Sequence, residues 1–144
     1  MKLESVTDAN GIPLAVVTAA ANVPETVLGA AALLSIPECV AVPFGVPVLA
    51  DRGYDSDPLR EQLAGEGFEL VSPHRSNRTK PPTNDGRTMR RYKRRYKAER
   101  TFAWWHSFRR VVTRFEKTAK LYDGFVGMAA ALMCLGKLIP DVTK

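Results

Sequence analysis

Short runs of alternating and apolar residues fill the first third of the chain, and they predict strands with one helix between them. Residues 2–7 and 12–18 flank the Asn-Gly pair at positions 10–11, which readily supplies the positive φ of a tight turn. These residues therefore predict a β-hairpin. Pro24 and the apolar run Val27–Leu34 predict a helix directly after it.

The next segment has the pattern of a βαβ unit. A short apolar strand is predicted at Val46–Ala50, a helix from Pro58 through Leu63, and a second strand at Phe68–Val71. A crossover of this kind implies parallel strands. Asp51 then lies at the carboxyl end of a strand, where open α/β sheets bind their ligands.

A polar segment divides the chain at residues 73–90, and its prolines and glycine indicate a mobile loop. From Arg90 to Lys120 there is neither Pro nor Gly, and the pattern predicts one long helix. Leu121–Leu138 predicts a last, buried apolar helix. Its longest apolar run, Phe125–Gly136, is shorter than the roughly 18 residues that suggest a membrane span.

Four polar side chains share one stripe of the predicted 90–120 helix. At 100° per residue, Tyr92, Arg95, Glu99 and His106 fall within about 60° of one another. The apolar residues fall on the opposite face, namely Trp104, Phe108, Val111, Val112 and Phe115. The helix is thus expected to pack by its aromatic side and to present a carboxylate, flanked by Arg and Tyr, on the other.

Charge is distributed very unevenly along the 144 residues. The net charge is +6, but residues 75–120 hold 16 of the 21 basic residues and three acids, whereas residues 1–74 hold three basic and ten acidic residues. The basic block indicates a polyanionic partner. Cys39 and Cys134 lack metal-ligand spacing and indicate two free, buried thiols in a reducing cytosol. The N-terminus lacks the apolar stretch of a signal peptide.

Asp51 and Glu99 each admit a structural interpretation and a functional one. Asp51 could cap a turn, and Glu99, the only acid between Gly86 and Phe115, could simply relieve charge on a solvated face. Together they offer the hard oxygen ligands that bind Mg²⁺ beside a phosphodiester, with arginines nearby to bind phosphates. This combination favours the functional interpretation.

Four segments carry a family resemblance: LADRGYDSDPLREQL (49–63), VSPHRSNRTKPP (71–82), YKRRYKAERTFAWWHSFRRVVTRFEK (92–117) and LYDGFVGMAAALMCLGKL (121–138). They resemble bacterial insertion-sequence transposases of the DDE class, in particular those with a Tyr, two residues, Arg, three residues, Glu, six residues, Lys signature. Tyr92, Arg95 and Glu99 match that spacing, and His106 stands at the Lys position, where it keeps a positive charge only when protonated.

The resemblance implies an α/β fold of the ribonuclease-H-like kind, a mixed sheet flanked by helices, in which three carboxylates bind two divalent metals, Mg²⁺ or Mn²⁺. It makes Asp51 the second carboxylate and Glu99 the third. Activated water would attack a phosphodiester at the transposon end, and the freed 3′-hydroxyl would then attack target DNA. DNA contacts are expected from the polar loop 74–90 and from the basic helix, through Tyr92, Arg95, Arg94, Lys97, His106 and Arg110.

The first carboxylate of that family has no counterpart here. Asp8 matches the hairpin turn and not the metal-binding strand. Residues 1–144 are therefore expected to form a partial catalytic domain that lacks its first strand: 1–72 with the sheet and the second carboxylate, 73–90 as the loop, and 91–144 with the third carboxylate. A truncated copy and a frameshift partner of an upstream reading frame both fit this expectation, which also predicts an exposed sheet edge and marginal stability.

Two functions from different classes stay open at this point. One is a catalytic portion that acts on transposon ends and target DNA, works as a homo-oligomer, and is completed by an upstream reading-frame product. The other is a DNA-binding fragment that modulates the full enzyme without cleaving DNA. An RNA-binding module is disfavoured because the aromatic sheet motifs of RNA readers are missing. Both favoured functions predict a cytoplasmic, nucleoid-associated bacterial protein without a membrane partner.

Overall fold

A computed structural model of the chain describes residues 1–139, and it begins with the predicted β-hairpin. Strands β1 (Lys2–Thr7) and β2 (Pro13–Ala19) pair antiparallel. Gly11 has a φ of 82° in the turn. One carboxylate oxygen of Asp8 accepts hydrogen bonds of 2.8 Å from the amides of Asn10 and Ile12. The hairpin is confirmed, and Asp8 is used in shaping its turn.

The predicted βαβ unit is also present. Strand β3 (Val46–Leu49) and strand β4 (Phe68–Val71) pair in parallel, with Val46 opposite Phe68, and helix α2 (Asp57–Gly65) connects them. A 3-10 turn at Arg52–Tyr54 lies between β3 and α2. The carboxyl end of β3 therefore leads directly into the turn that follows Asp51.

Helix α1 (Glu25–Leu34) joins the hairpin to the βαβ unit. It begins after Pro24, as predicted, and contacts both hairpin strands and the 3-10 turn. Two of its buried residues belong to the first of the two hydrophobic cores in residues 1–139, which consists of Ala30, Leu33, Leu59, Leu63 and Leu70. Val6 of β1 packs against this core from the hairpin.

The α/β class is confirmed, but residues 1–139 do not contain one continuous mixed sheet. They contain two separate two-stranded sheets, β1–β2 and β3–β4. Within this part of the chain, β1 and β3 each have a hydrogen-bonded strand on one side only. The arrangement is compatible with a ribonuclease-H-like fold, and packing through α1 holds the two sheets together in place of backbone pairing.

The single helix predicted for 90–120 is wrong in its bounds. Helix α3 (Gly86–Tyr92) starts earlier because Asp85 caps it, and a 3-10 turn (Lys93–Arg95) leads into helix α4 (Tyr96–Trp105). The helical path then ends. The Ser107 hydroxyl donates to the Trp104 carbonyl at 2.7 Å, and Phe108 is extended before the short helix α5 (Arg109–Val112). A serine that competes for backbone carbonyls favours such a break.

Helix α6 (Ala119–Leu138) forms as predicted, but it is buried along one face only. Tyr122, Val126, Ala129 and Met133 complete the second core with Trp105 and Val111. Leucines and a methionine on the other side are exposed, so the expectation of a buried helix was wrong. By length and composition alone, this helix would suffice to cross a membrane. Cys134 on α6 is half-buried and Cys39 is exposed, which also corrects the expectation of two buried thiols.

Candidate metal and nucleic-acid site

Asp51 is the residue that precedes the 3-10 turn after β3. Its carboxylate Oδ1 accepts a hydrogen bond of 2.7 Å from the Gly53 amide, so it caps the turn. The side chain remains 48% exposed, and its second oxygen is available to other partners. Asp51 therefore caps the turn, as its structural interpretation predicted. The cap uses Oδ1 and leaves Oδ2 accessible to a ligand.

Arg95 brings Asp51 and Glu99 together. Its Nη2 lies 2.8 Å from Glu99 Oε1, and its Nη1 lies 3.9 Å from Asp51 Oδ2. The Tyr92 ring lies under the same guanidinium, with the centroid 5.5 Å from Cζ. Three of the four residues of the predicted stripe, Tyr92, Arg95 and Glu99, thus lie together across the 3-10 turn and face the carboxyl end of β3, whereas no described contact joins His106 to them.

The hairpin turn fixes the helix that carries Glu99. The buried hydroxyl of Thr101 donates to the Gly11 carbonyl at 2.6 Å. A side chain at Gly11 would meet this hydroxyl at 2.8 Å and the Lys97 carbonyl at 3.0 Å. Glycine is therefore needed both for the positive φ and for the close approach of α4. This contact, which no local pattern indicates, orients α4 toward Asp51.

Further acids surround Asp51. Burial raises the pKa of Glu4; the hydrogen bond from the Tyr54 hydroxyl opposes this shift, and the charges of Glu25 and Asp51 add to it. Burial and the adjacent Glu4 carboxylate likewise raise the pKa of Tyr54. Lys2 lies 3.8 Å from Glu25 and compensates part of this charge. The surroundings of Asp51 are therefore electronegative, which favours the binding of a cation.

A second ionic cluster, which was not anticipated, lies beside the site. The Asp55 side chain is 2% exposed and contacts Arg60 at 2.8 Å, His74 at 3.0 Å and Arg78 at 3.2 Å. Its pKa lies well below the ordinary value, because hydrogen bonds from the Arg75 amide, His74 and Arg60 outweigh the opposing effect of burial. Asp57 pairs with Arg60, Arg78 and Lys80. The sequence signal that could have predicted this cluster is the run of acids in residues 51–57 together with the basic residues in 74–80.

This ionic cluster corrects the expectation of a mobile loop at 73–90. His74, Arg75 and Arg78 bind the βαβ unit, and the Thr83 amide donates to His74 Nε2 at 3.0 Å. The last residues of the segment belong to α3, which begins at Gly86. The segment is thus held against the carboxyl end of the parallel strands.

The other predicted DNA-binding residues lie at different places. Arg94 is exposed in the 3-10 turn beside Arg95, and Lys97 is half-buried in the first turn of α4. His106 is exposed directly after the last residue of α4. Arg110 pairs with Glu116 at 3.0 Å and lies over the Phe125 ring, so its described contacts belong to the α5–α6 region. Arg110 therefore does not join the Arg95 stripe.

Asp51 and Glu99 have suitable chemistry for a divalent cation. Their oxygens are hard donors, both side chains are about half exposed or more, and both contact a single cation, Arg95. Within residues 1–139, however, no group of three or more His, Cys, Asp or Glu side chains is arranged to hold a metal. The chemistry of the donors therefore suits a divalent cation, as part of a site and not as a complete one.

Comparisons with known proteins identify the family of the chain. Residues 1–134 match the family model described as the transposase DDE domain. The chain is 37% identical over 138 residues to the transposase assigned to insertion sequence element IS402 of Burkholderia cepacia, covering 92% of the chain and 62% of that relative. It is 34% identical over 138 residues to the transposase assigned to element IS6501 of Brucella ovis, covering 93% and 97%. No solved structure matches the chain.

Proposed function

This chain belongs to the transposase DDE domain family, and from that premise we propose that it takes part in DNA transposition by metal-dependent cleavage and strand transfer at transposon ends. The chain spans less than two thirds of the IS402 relative, 62% of its length. The proposal therefore concerns the residues of this chain and the contribution that they make to the reaction.

The observation that carries the proposal is the contact of Asp51 and Glu99 with one guanidinium, that of Arg95. We assign the two carboxylates to the binding of Mg²⁺ or Mn²⁺. When bound, the metal would stabilise the attacking and leaving oxygens of an in-line displacement. Arg95, whose donors now face the carboxylates, would bind a phosphate of the DNA, and a guanidinium is well suited to that contact.

The basic block would hold the DNA backbone around this centre. Residues 75–120 carry a large positive excess, and α3, α4 and the turn between them contain most of it. We assign Tyr92, Arg94, Lys97 and His106 to contacts that position the duplex and do not read its sequence. Arg110 would act further away, because its described contacts are to Glu116 and Phe125.

We further propose that another segment completes the site. Asp51 and Glu99 supply two carboxylates where the family uses three, and β1 and β3 each have one unpaired side within residues 1–139. A truncated copy and a partner of an upstream reading frame would both need such a segment. We expect the complete assembly to be a homo-oligomer acting on transposon ends and target DNA in the bacterial cytoplasm.

A cleavage assay on donor DNA with Mg²⁺ or Mn²⁺ tests the proposal. We expect the wild-type chain, supplied with the upstream segment of its element, to nick the transposon end. Asp51→Asn and Glu99→Gln should each abolish this activity while DNA binding is retained. Glu38→Gln makes the same chemical change at an exposed loop position and should have no effect. Cleavage that survives both site variants would refute the assignment.

The alternative is a DNA-binding fragment that modulates the full transposase. The basic block and the lack of a third carboxylate within the described residues favour this alternative. It predicts DNA binding that weakens steeply with salt, and no metal-dependent cleavage under any condition. The same assay therefore separates the two functions.

A further inference from the structure

The turn that holds Asp51 is short and weakly bonded by itself. It has three residues, and its backbone hydrogen bonds are long, 3.2 Å from the Tyr54 amide to the Asp51 carbonyl and 3.3 Å from the Asp55 amide to the Arg52 carbonyl. Among the backbone groups of residues 1–139, only the Gly53 amide donates to the Asp51 carboxylate. The position of the Asp51 carboxylate therefore depends on the contacts that hold the backbone at Gly53 in place.

Arg75 contacts the carbonyl side of this turn. Its Nη2 donates to the Gly53 carbonyl at 2.6 Å, and its Nε donates to the Arg52 carbonyl at 3.4 Å. The Arg75 side chain is exposed, and it forms no ion pair within residues 1–139. An exposed arginine whose side chain donates to two successive carbonyls, and to no carboxylate among the described residues, restrains the backbone.

The buried Asp55 carboxylate anchors Arg75 in turn. Its Oδ2 accepts from the Arg75 amide at 2.7 Å, and its Oδ1 contacts His74 Nδ1 at 3.0 Å. Because the Thr83 amide donates to His74 Nε2, that nitrogen carries a lone pair, and the proton lies on Nδ1 and points at Asp55. Hydrogen bonds at both ring nitrogens thus hold the His74 side chain, and with it the residue that precedes Arg75.

The backbone at Gly53 is closely packed, and no side chain fits there. A side chain there would meet Asp51 Oδ1 at 2.8 Å and Glu25 Oε2 at 3.2 Å, so the two carboxylates approach its backbone directly. The Gly53 amide shares its peptide plane with the Arg52 carbonyl, which accepts from Arg75 Nε at 3.4 Å, so rotation of that peptide would move the amide that binds Asp51. The next peptide carries the Gly53 carbonyl, which Arg75 Nη2 holds at 2.6 Å.

We propose that Arg75 is a positioning residue for Asp51, acting through the backbone of the turn: it restrains the Arg52 and Gly53 carbonyls on the two peptides that flank the Gly53 α-carbon, and the Gly53 amide between them orients the carboxylate. The catalytic consequence rests on the function proposed above, whereas the restraint itself does not. Arg75 touches neither substrate nor metal in this role.

Solvent exchange of the Gly53 amide, measured by NMR on the full chain, tests the restraint. We expect Arg75→Ala to speed exchange about five- to tenfold, the range that follows from losing a typical hydrogen bond. Arg75→Lys should give an intermediate rate, because one ammonium cannot reproduce the fork of a guanidinium. Arg52→Ala removes the same charge from an exposed side chain of the same turn and should leave the rate unchanged.

Mn²⁺ binding, followed by electron paramagnetic resonance, separates two effects of losing Arg75. Loss of its positive charge should strengthen binding, whereas loss of the Asp51 position should weaken it. Removing a positive charge near an anionic site by itself tightens cation binding. Arg52→Ala should therefore bind Mn²⁺ as well as the wild type or better. Arg75→Ala should bind it several-fold more weakly, because the Asp51 carboxylate is no longer held in place.

Unchanged Gly53 exchange in Arg75→Ala, or equal acceleration by Arg52→Ala, would overturn the restraint. Tighter Mn²⁺ binding by Arg75→Ala would overturn its role in positioning Asp51. If exchange responds as expected but the wild type, supplied with the upstream segment of its element, binds no Mn²⁺, the proposed metal-dependent function fails and the restraint of the turn stands.

Discussion

Asp55→Asn should destabilise the fold more than any other single loss of charge in the 51–57 segment. The Asp55 side chain is 2% exposed, and its two oxygens accept from the Arg75 amide and contact Arg60, His74 and Arg78. Asparagine keeps one oxygen but turns an NH₂ group toward donors. The change therefore removes the most buried of the negative partners of Arg60 and Arg78.

The size of the effect follows from what is left behind. Removing one member of a buried ion pair generally costs about 3–5 kcal/mol. Arg60 and Arg78 keep Asp57 as a partner, at 3.2 and 2.9 Å, so the lower end of that range applies. We expect a loss of about 3 kcal/mol in the free energy of unfolding at pH 7.

The pH dependence has a definite sign. The pKa of Asp55 in the folded state lies below its ordinary value of 3.8, so the stabilisation is present above that value and is lost as the pH falls through the folded pKa. The difference between wild type and Asp55→Asn should thus be constant from pH 7 to about 4 and should shrink at lower pH.

Urea unfolding of the two proteins between pH 3 and 7, with Asp57→Asn as the matched control, measures these effects. Asp57 has the same arginine partners but is more exposed, so its replacement should destabilise less. A loss below about 1 kcal/mol for Asp55→Asn, the value of an exposed pair, would refute the assignment of Asp55 as the centre of the ionic cluster. So would an equal effect of Asp57→Asn.

Three other changes test different parts of the structure. Glu4→Gln should stabilise the fold at pH 7 and have no effect below about pH 4, because the raised pKa of Glu4 means that its charged form destabilises the folded state; urea unfolding at both pH values checks this. Gly11→Ala should lower stability by about 1–3 kcal/mol in thermal unfolding, since Gly11 has a φ of 82°, whereas Gly65→Ala, where a side chain meets open space, should not destabilise. Arg94→Ala should weaken DNA binding equally for all sequences and reduce the slope of log affinity against log salt by about 1, and an unchanged slope in a fluorescence titration would exclude a phosphate contact.

Elements defined by neighbouring residues could be predicted from the sequence. The hairpin follows from its Asn-Gly turn. The parallel pairing of β3 with β4 follows from the order strand, helix, strand with short connections, since neighbouring strands joined by a helix generally pair in parallel. The end of α4 at Trp105 could not be predicted in this way. Ser107 favours a break locally, but the break occurs where Trp105 and Val111 both enter the core built on α6, a contact between residues far apart in the sequence.

The site was predicted in part for the same reason. Tyr92, Arg95 and Glu99 share a stripe because the 3-10 turn between α3 and α4 keeps a nearly helical path, so the 100° periodicity still applies. The contact of Arg95 with Asp51 requires α4 to dock on the hairpin turn through Thr101, which no spacing in the sequence reveals. The Asp55 cluster was missed because the basic residues of the polar loop were assigned to contacts with DNA.

The most direct measurement is paramagnetic broadening of the amide NMR signals by small amounts of Mn²⁺. If Asp51 and Glu99 bind one divalent cation, the amides next to both residues should broaden together, and Asp51→Asn or Glu99→Gln should each remove the effect from both places. Broadening that persists in both variants, or that centres on Asp57 and Glu61, would contradict the assignment of Asp51 and Glu99 as the metal-binding pair.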